Sequence, residues 1–224
     1  MYRQDSLLLN TAPDSSFLIM AEKPKTRVGE SFTHFVSLEV KHDPDHRDFI
    51  KQVEEMQSRT LSLFPEQEAK PAKLNTLHIT VATLMLNKDS DELAYVSQKI
   101  ADGVDQFKRV YSGEDGIRCS FQGVSAFRDI VFLDMSLGAN AFKTFRDILI
   151  VNGLHHYITD QAQNPHLTYM RKLDLSEIER DAMTTMMKDV KTSRITLDTL
   201  SLRERKQAGV AVKPPIREYG LWRE

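Results

Sequence analysis

The sequence predicts one domain in which strands and helices mix, and three observations carry that expectation. Apolar residues switch repeatedly between alternating, β-branched runs and a three-and-four spacing, so strands and amphipathic helices follow one another. A length of 224 residues with a hydrophobic fraction of 41% suffices for one core, in one lobe or two, plus terminal extensions. Two stretches also read alike: LHITV, Leu77 to Val81, and PHLTY, Pro165 to Tyr169.

Residues 1–31 are mixed in character, with Pro13, Pro24 and one apolar patch at 16–20, and read as an N-terminal extension that docks weakly or stays flexible. THFVSLEV, 33–40, has the β-branched and aromatic content of a strand, with His34 expected at an edge. His42, Asp43, Asp45 and His46 follow within five positions and could suggest a metal site. A cap is the better reading, because Asp43 or Asp45 beside Pro44 is a standard helix start. Phe49, Ile50, Val53, Met56, Leu61 and Phe64 then mark an amphipathic helix that Pro65 ends. KLNTLHITVATLML is nearly continuous in apolar residues past His78 and reads as a central strand.

Asp89 or Ser90 caps a second expected helix, whose stripe is Leu93, Val96, Ile100 and Val104. Residues 117–137 read as two strands turning tightly at 127–129, followed by a helix over about 140–151 that Gly153 stops. Residues 154–164 are read as a polar approach to the second motif, with His155 and His156 as solvated loop residues. Ser176 and Glu179 have capping-box spacing for a fourth helix, whose Met183, Met186 and Met187 read as core. Residues 193–206 are expected to close the fold as one strand, leaving 207–224 as a C-terminal tail. Trp222 anchors that tail either on the body or on a partner.

The two similar stretches carry the chemistry. A strand alternates its faces, so His78 points with Thr80 and His166 with Thr168. One His-x-Thr is weak evidence, but the whole local pattern recurs 88 residues on (166 minus 78). Two imidazoles at one cleft can divide base and acid work near neutral pH, and two hydroxyls can hold the oxygens of an anion.

Composition excludes several alternatives. A lone cysteine, Cys119, rules out an intramolecular disulfide framework, and its strand-like neighbours mark it as a buried small hydrophobe. A net charge of −2 argues against a broad footprint for long duplex nucleic acid, although a short oligonucleotide needs only a local basic rim. No apolar run is long enough to span a bilayer and the N-terminus lacks a secretory pattern, so an intracellular, cytoplasmic protein is expected, with the nucleus open as a location. Neither a P-loop nor a dinucleotide fingerprint is present.

The order of elements and the pairs His78/Thr80 and His166/Thr168 resemble the 2H phosphoesterase superfamily, the LigT-like proteins. KLNTLHITVATLML, FQGVSAFRDIVFLDM and NPHLTYMRKL are further similar to the eukaryotic and viral branch that includes the central domain of an A-kinase anchoring protein. The resemblance spans 32–206. It implies an α+β, bilobal fold with two antiparallel sheets around a cleft with pseudo-twofold symmetry. It also implies chemistry on RNA-type phosphodiesters without metal or cofactor.

On that resemblance, 2',5'-linked oligoadenylate is the first substrate, cleaved to a cyclic phosphate and a 5' hydroxyl, with His78, Thr80, His166 and Thr168 catalytic. Hydrolysis of 2',3'-cyclic phosphates, trimming of RNA 3' ends, and a nucleotide-binding (AMP) module whose ends recruit an unknown protein are the alternatives. Phe35 and Tyr169 are candidates to stack on a base, Phe35 ahead of Tyr169 because regular alternation turns Tyr169 to the opposite face. Lys73 and Arg171 are candidates to contact phosphate. The sequence does not say which histidine is the base.

Overall fold

The computed structural model describes residues 33–87, 89–112, 114–127, 129–159, 164–205 and 214–222. The N-terminal extension expected at 1–31, the turn residue Arg128 and tail residues 207–213 lie outside the described residues.

The strands are β1 (His34–Glu39), β2 (Lys70–Pro71), β3 (His78–Leu84), β4 (Ile117–Phe127), β5 (Ile130–Leu137), β6 (Ile158–Thr159), β7 (His166–Arg171), β8 (Ile195–Leu197), β9 (Thr199–Glu204) and β10 (Arg217–Gly220). The helices are α1 (Arg47–Leu63), α2 (Ser90–Val110), α3 (Ala139–Leu149) and α4 (Glu177–Met186). Local chemistry starts the helices where the sequence indicates. Asp43 accepts from the His46 amide in a 3-10 turn before α1, Asp89 accepts from the Asp91 amide ahead of α2, and Ser176 with Glu179 forms a reciprocal capping box on α4. The buried His46 ring lies between the Lys41 and Thr196 carbonyls, at 3.0 Å from each, and ties the start of α1 to β8. After α3, Gly153 takes a positive φ of 97°, which glycine adopts without the Cβ penalty.

All the described strands join one antiparallel sheet in the order β10-β9-β1-β3-β7-β5-β4-β8, with β2 added to β7 and β6 to β3. The two sheets expected from the sequence are thus two halves of one sheet, β10-β9-β1-β3 and β7-β5-β4-β8. They meet through a single registered pair, Ile79 with Leu167. The sheet curls strongly, because its end strand β8 and its penultimate strand β9 are separated in sequence only by Asp198. Helices α2 and α3 pack with the first half, and α1 and α4 with the second. Ile79, Leu167, Leu38 and Leu133 are fully buried in the resulting core.

Five further expectations change. His34, expected at an edge, is buried on β1, which lies between β9 and β3 inside the sheet. The single closing strand at 193–206 is two strands in different halves, since Ile195–Leu197 pairs with β4 while Thr199–Glu204 pairs with β1. The approach at 154–164 contains β6, which pairs with the end of β3 that β7 has left. Met183 and Met187 are buried, but Met186 is exposed because it turns to the outer side of α4. The described part of the tail is also built into the sheet. β10 pairs with β9, Tyr219 donates a hydrogen bond to the Ser97 carbonyl of α2 at 3.0 Å, and Trp222 meets Phe107 edge-on at 5.8 Å. Trp222 therefore anchors on the body.

Because Tyr219 and Leu221 are buried, the tail contributes to the core rather than decorating it. Tyr219→Ala is expected to cost about 3 kcal/mol by urea unfolding; an unchanged midpoint would show that β10 is dispensable.

Candidate active site

The junction of the two half-sheets builds the site. In an antiparallel pair fixed by Ile79 and Leu167, position 78 lies beside 168 and position 80 beside 166. Ile79 and Leu167 point into the core, so His78, Thr80, His166 and Thr168 share the opposite face, and all four are half-buried. Each histidine thereby faces the threonine of the other motif.

The same irregularity follows both motifs. Val36 pairs with Ala82 and Ser37 with Thr80, which leaves Val81 as an extra residue in β3. Val131 pairs with Met170 and Phe132 with Thr168, which leaves Tyr169 as an extra residue in β7. A bulge bends its strand and re-aims the side chains on either side. Here the two bulges coincide with the point where β3 and β7 part company.

Each imidazole is held in the same way. His78 Nδ1 donates to the Thr76 carbonyl at 2.8 Å, and His166 Nδ1 donates to the Asn164 carbonyl at 2.9 Å. A carbonyl can only accept, so Nδ1 carries the proton in both rings and Nε2 is the atom left for proton transfer. Aromatic rings brace the imidazoles: Phe35 stacks on His78 at 5.3 Å and Phe132 tilts against His166 at 4.6 Å. Among the described residues, neither the Thr80 nor the Thr168 hydroxyl has a hydrogen-bond partner, so both are free to donate.

Burial is the largest influence on His78 and pushes it below the ordinary imidazole range, toward the neutral form. The hydrogen bond to the Thr76 carbonyl and the nearby Glu39 charge oppose this, while Arg171 and Arg203 reinforce it. A neutral imidazole with a free Nε2 is ready to accept a proton.

The sequence candidates separate into those the junction gathers and those it does not. The two histidines and two threonines lie together, with Phe35 against His78 and the Arg171 charge felt at His78. Tyr169 requires correction. It is fully buried on the core side, and its hydroxyl is hydrogen-bonded with Thr60 Oγ1 of α1 at 3.1 Å, so it cannot stack on a substrate. Burial also pushes its phenol up to about 12. Lys73 is exposed on the turn before β3 and does not line the cavity of about 320 Å3 walled by Glu39, Asn75, Arg203 and Glu218, a cavity that none of the four motif residues lines either.

Sequence reasoning missed Phe132, Glu39, Asp134 and Arg203, the neighbours supplied by flanking strands. The alternation in β1 and β5 could have offered them as residues of one face, but only register pairs them with a particular histidine.

A family model described as the AKAP7 2'5' RNA ligase-like domain matches residues 32–207. No curated protein matches the sequence. Among solved structures, the fold is similar to E. coli LigT complexed with 3'-AMP, at 12% identity and a TM-score of 0.56, over 85% of this chain and 98% of that one. LigT complexed with NADP+ gives 12% identity and 0.58 over 87% and 100%. The MHV ns2 PDE domain gives 15% identity and 0.55 over 79% and 100%. At such identities the likeness concerns the fold.

Two outcomes test this description. Tyr169→Phe is expected to cost about 1 kcal/mol in unfolding experiments, through the hydrogen bond to Thr60, while leaving the cleft unchanged; a loss of ligand affinity would return Tyr169 to the site. Because the folded state disfavours the charged form of His78, the unfolded state binds more protons as pH falls below the ordinary imidazole value of 6.5. That contribution to stability is complete above pH 6.5 and is lost as pH falls toward and through the lower folded value. The wild type should therefore lose more Tm between pH 7.5 and 5.5 than His78→Gln, and parallel curves would contradict the burial effect.

Proposed function

The chain belongs to the AKAP7 2'5' RNA ligase-like domain family of the 2H phosphoesterase superfamily, and from that premise we propose that it cleaves RNA-type phosphodiesters without a metal, with 2',5'-linked oligoadenylate as the favoured substrate. The observation that carries the reading is the arrangement at the β3–β7 junction. Two imidazoles with Nδ1 engaged by backbone carbonyls stand on the same sheet face as two threonine hydroxyls that have no hydrogen-bond partner among the described residues.

A ribose hydroxyl next to a phosphodiester is an internal nucleophile already held near the phosphorus, so orientation supplies much of the barrier reduction. His78, kept neutral by its burial, removes the proton from that hydroxyl at Nε2. The oxygen attacks phosphorus and the bond to the 5' oxygen breaks. His166 delivers a proton to that departing oxygen, giving a cyclic phosphate and a free 5' hydroxyl. Each transfer is worth roughly 10² to 10⁴ in rate. Thr80 and Thr168 donate to the nonbridging oxygens as charge builds there, a task in which preset position counts for more than strength. Arg171 adds positive charge near His78, and Phe35 offers a ring for a base.

Nucleotide binding without turnover is the second reading. LigT, which shares the fold, is described in complex with 3'-AMP and NADP+, so a cleft of this shape accommodates nucleotides in a relative.

Cleavage of 2',5'- and 3',5'-linked triadenylate in EDTA, by wild type, His78→Ala and His166→Ala, distinguishes the readings. The proposal expects the 2',5' trimer to be cut and each substitution to lower the rate by about 10² to 10⁴. Activity lost in EDTA and restored by zinc or manganese would contradict the mechanism. Tight AMP binding with neither trimer cut would favour the binding module.

A further inference from the structure

The repeat extends beyond the histidines and threonines to the strands outside them. Glu39 on β1 is the register partner of His78, and Asp134 on β5 is the register partner of His166. Directly opposed residues of an antiparallel pair lie on one face, so each imidazole has a carboxylate at its outer side. The two positions are equivalent under the exchange of β1 and β3 for β5 and β7.

Both carboxylates are fixed, by different means. Glu39 Oε1 accepts from Ser37 Oγ at 2.9 Å and from Arg203 Nε at 2.8 Å, with the Glu39 and Arg203 side chains largely buried. Asp134 Oδ2 accepts from Ser125 Oγ, which reaches it from β4. Among the described residues one oxygen of each carboxylate is engaged, and the hydrogen bond that sets the histidine tautomer is accepted by a backbone carbonyl instead. The carboxylates are therefore free of the task that an Asp performs in a hydrogen-bonded Asp-His pair. What remains is a fixed negative charge beside each ring.

We propose that Glu39 and Asp134 are positioning residues of this site, each acting on the histidine opposite it through charge, with Ser37 and Arg203 locking the first and Ser125 the second. The proposal rests on the reading of His78 and His166 as an acid and base pair. A fixed carboxylate favours the imidazolium that forms when a histidine accepts a proton, and steadies the ring that must give one up. The charged groups facing His78 are Glu39 from β1, Arg171 from β7 and Arg203 from β9. The Glu39–Arg203 pair thus sets a balance in which the anion favours protonation and the cations oppose it. Asp134 is held by a neutral hydroxyl, so the two halves of the repeat are electrostatically unequal.

NMR titration of the His78 ring in the full chain tests this without any substrate. Glu39→Gln should move the His78 midpoint down and Arg203→Gln should move it up, with Glu39→Asp restoring part of the first shift. In turnover of 2',5' triadenylate, Glu39→Gln and Asp134→Asn should each lower kcat on the order of tenfold with KM little changed, and Asp134→Glu should recover part of the loss. A well-dispersed spectrum in which Glu39→Gln leaves the His78 midpoint in place would overturn the proposal. A raised KM with unchanged kcat would do the same, by assigning the carboxylates to substrate contact. Because the titration needs no turnover, it stands or falls independently of the substrate assignment.

Discussion

The site depends on one backbone pairing. Ile79 and Leu167 are the only registered pair between β3 and β7 among the described residues, and both side chains are fully buried. Their burial fixes which face each strand turns to the core, and hence that both His-x-Thr motifs turn the other way. A slip of one residue in either strand would send that strand's histidine into the core. The two motifs are thus held in place by hydrophobic packing on the opposite side of the sheet.

Why the pairing is so short is explained by its surroundings. Immediately after each threonine a bulge leaves Val81 or Tyr169 unmatched, and past the bulge each strand takes another partner, β6 beside β3 and β2 beside β7. Two strands that touched along their whole length would lie flat and close the face. Strands that touch at their starts and then part give two half-sheets with a shared floor, which suits a ligand that must reach both imidazoles at once. The backbone carbonyls of Thr76 and Asn164 belong to the turns leading into those starts, so the feature that creates the junction also orients the rings.

Legibility in the sequence follows the range of the interaction. The motifs, the helix caps at Asp43, Asp89 and Ser176, and the apolar stripes are local patterns of a few residues, and the structure has them where the sequence indicates. Phe35, offered by the sequence as a ring for a base, lies instead against His78. What escaped was non-local. Nothing within Ile195–Glu204 announces that its two parts serve different halves of the sheet, and nothing in Arg217–Gly220 announces pairing with β9. Glu39, Asp134 and Phe132 gain meaning only from register across strands far apart in sequence. Tyr169 was half legible: alternation already pointed it away from the cleft, and its bond to Thr60 is a contact across 109 positions that no local pattern reveals.

The proposed mechanism requires the two histidines to act as one acid and base pair across the β3–β7 junction. The pH dependence of kcat/KM for 2',5' triadenylate in the wild type tests it most directly. A bell-shaped profile is predicted, because one imidazole must be neutral and the other protonated in the same molecule. A rate that climbs without a maximum into alkaline pH would contradict the claim, since it would mean that no protonated group is needed to release the 5' oxygen.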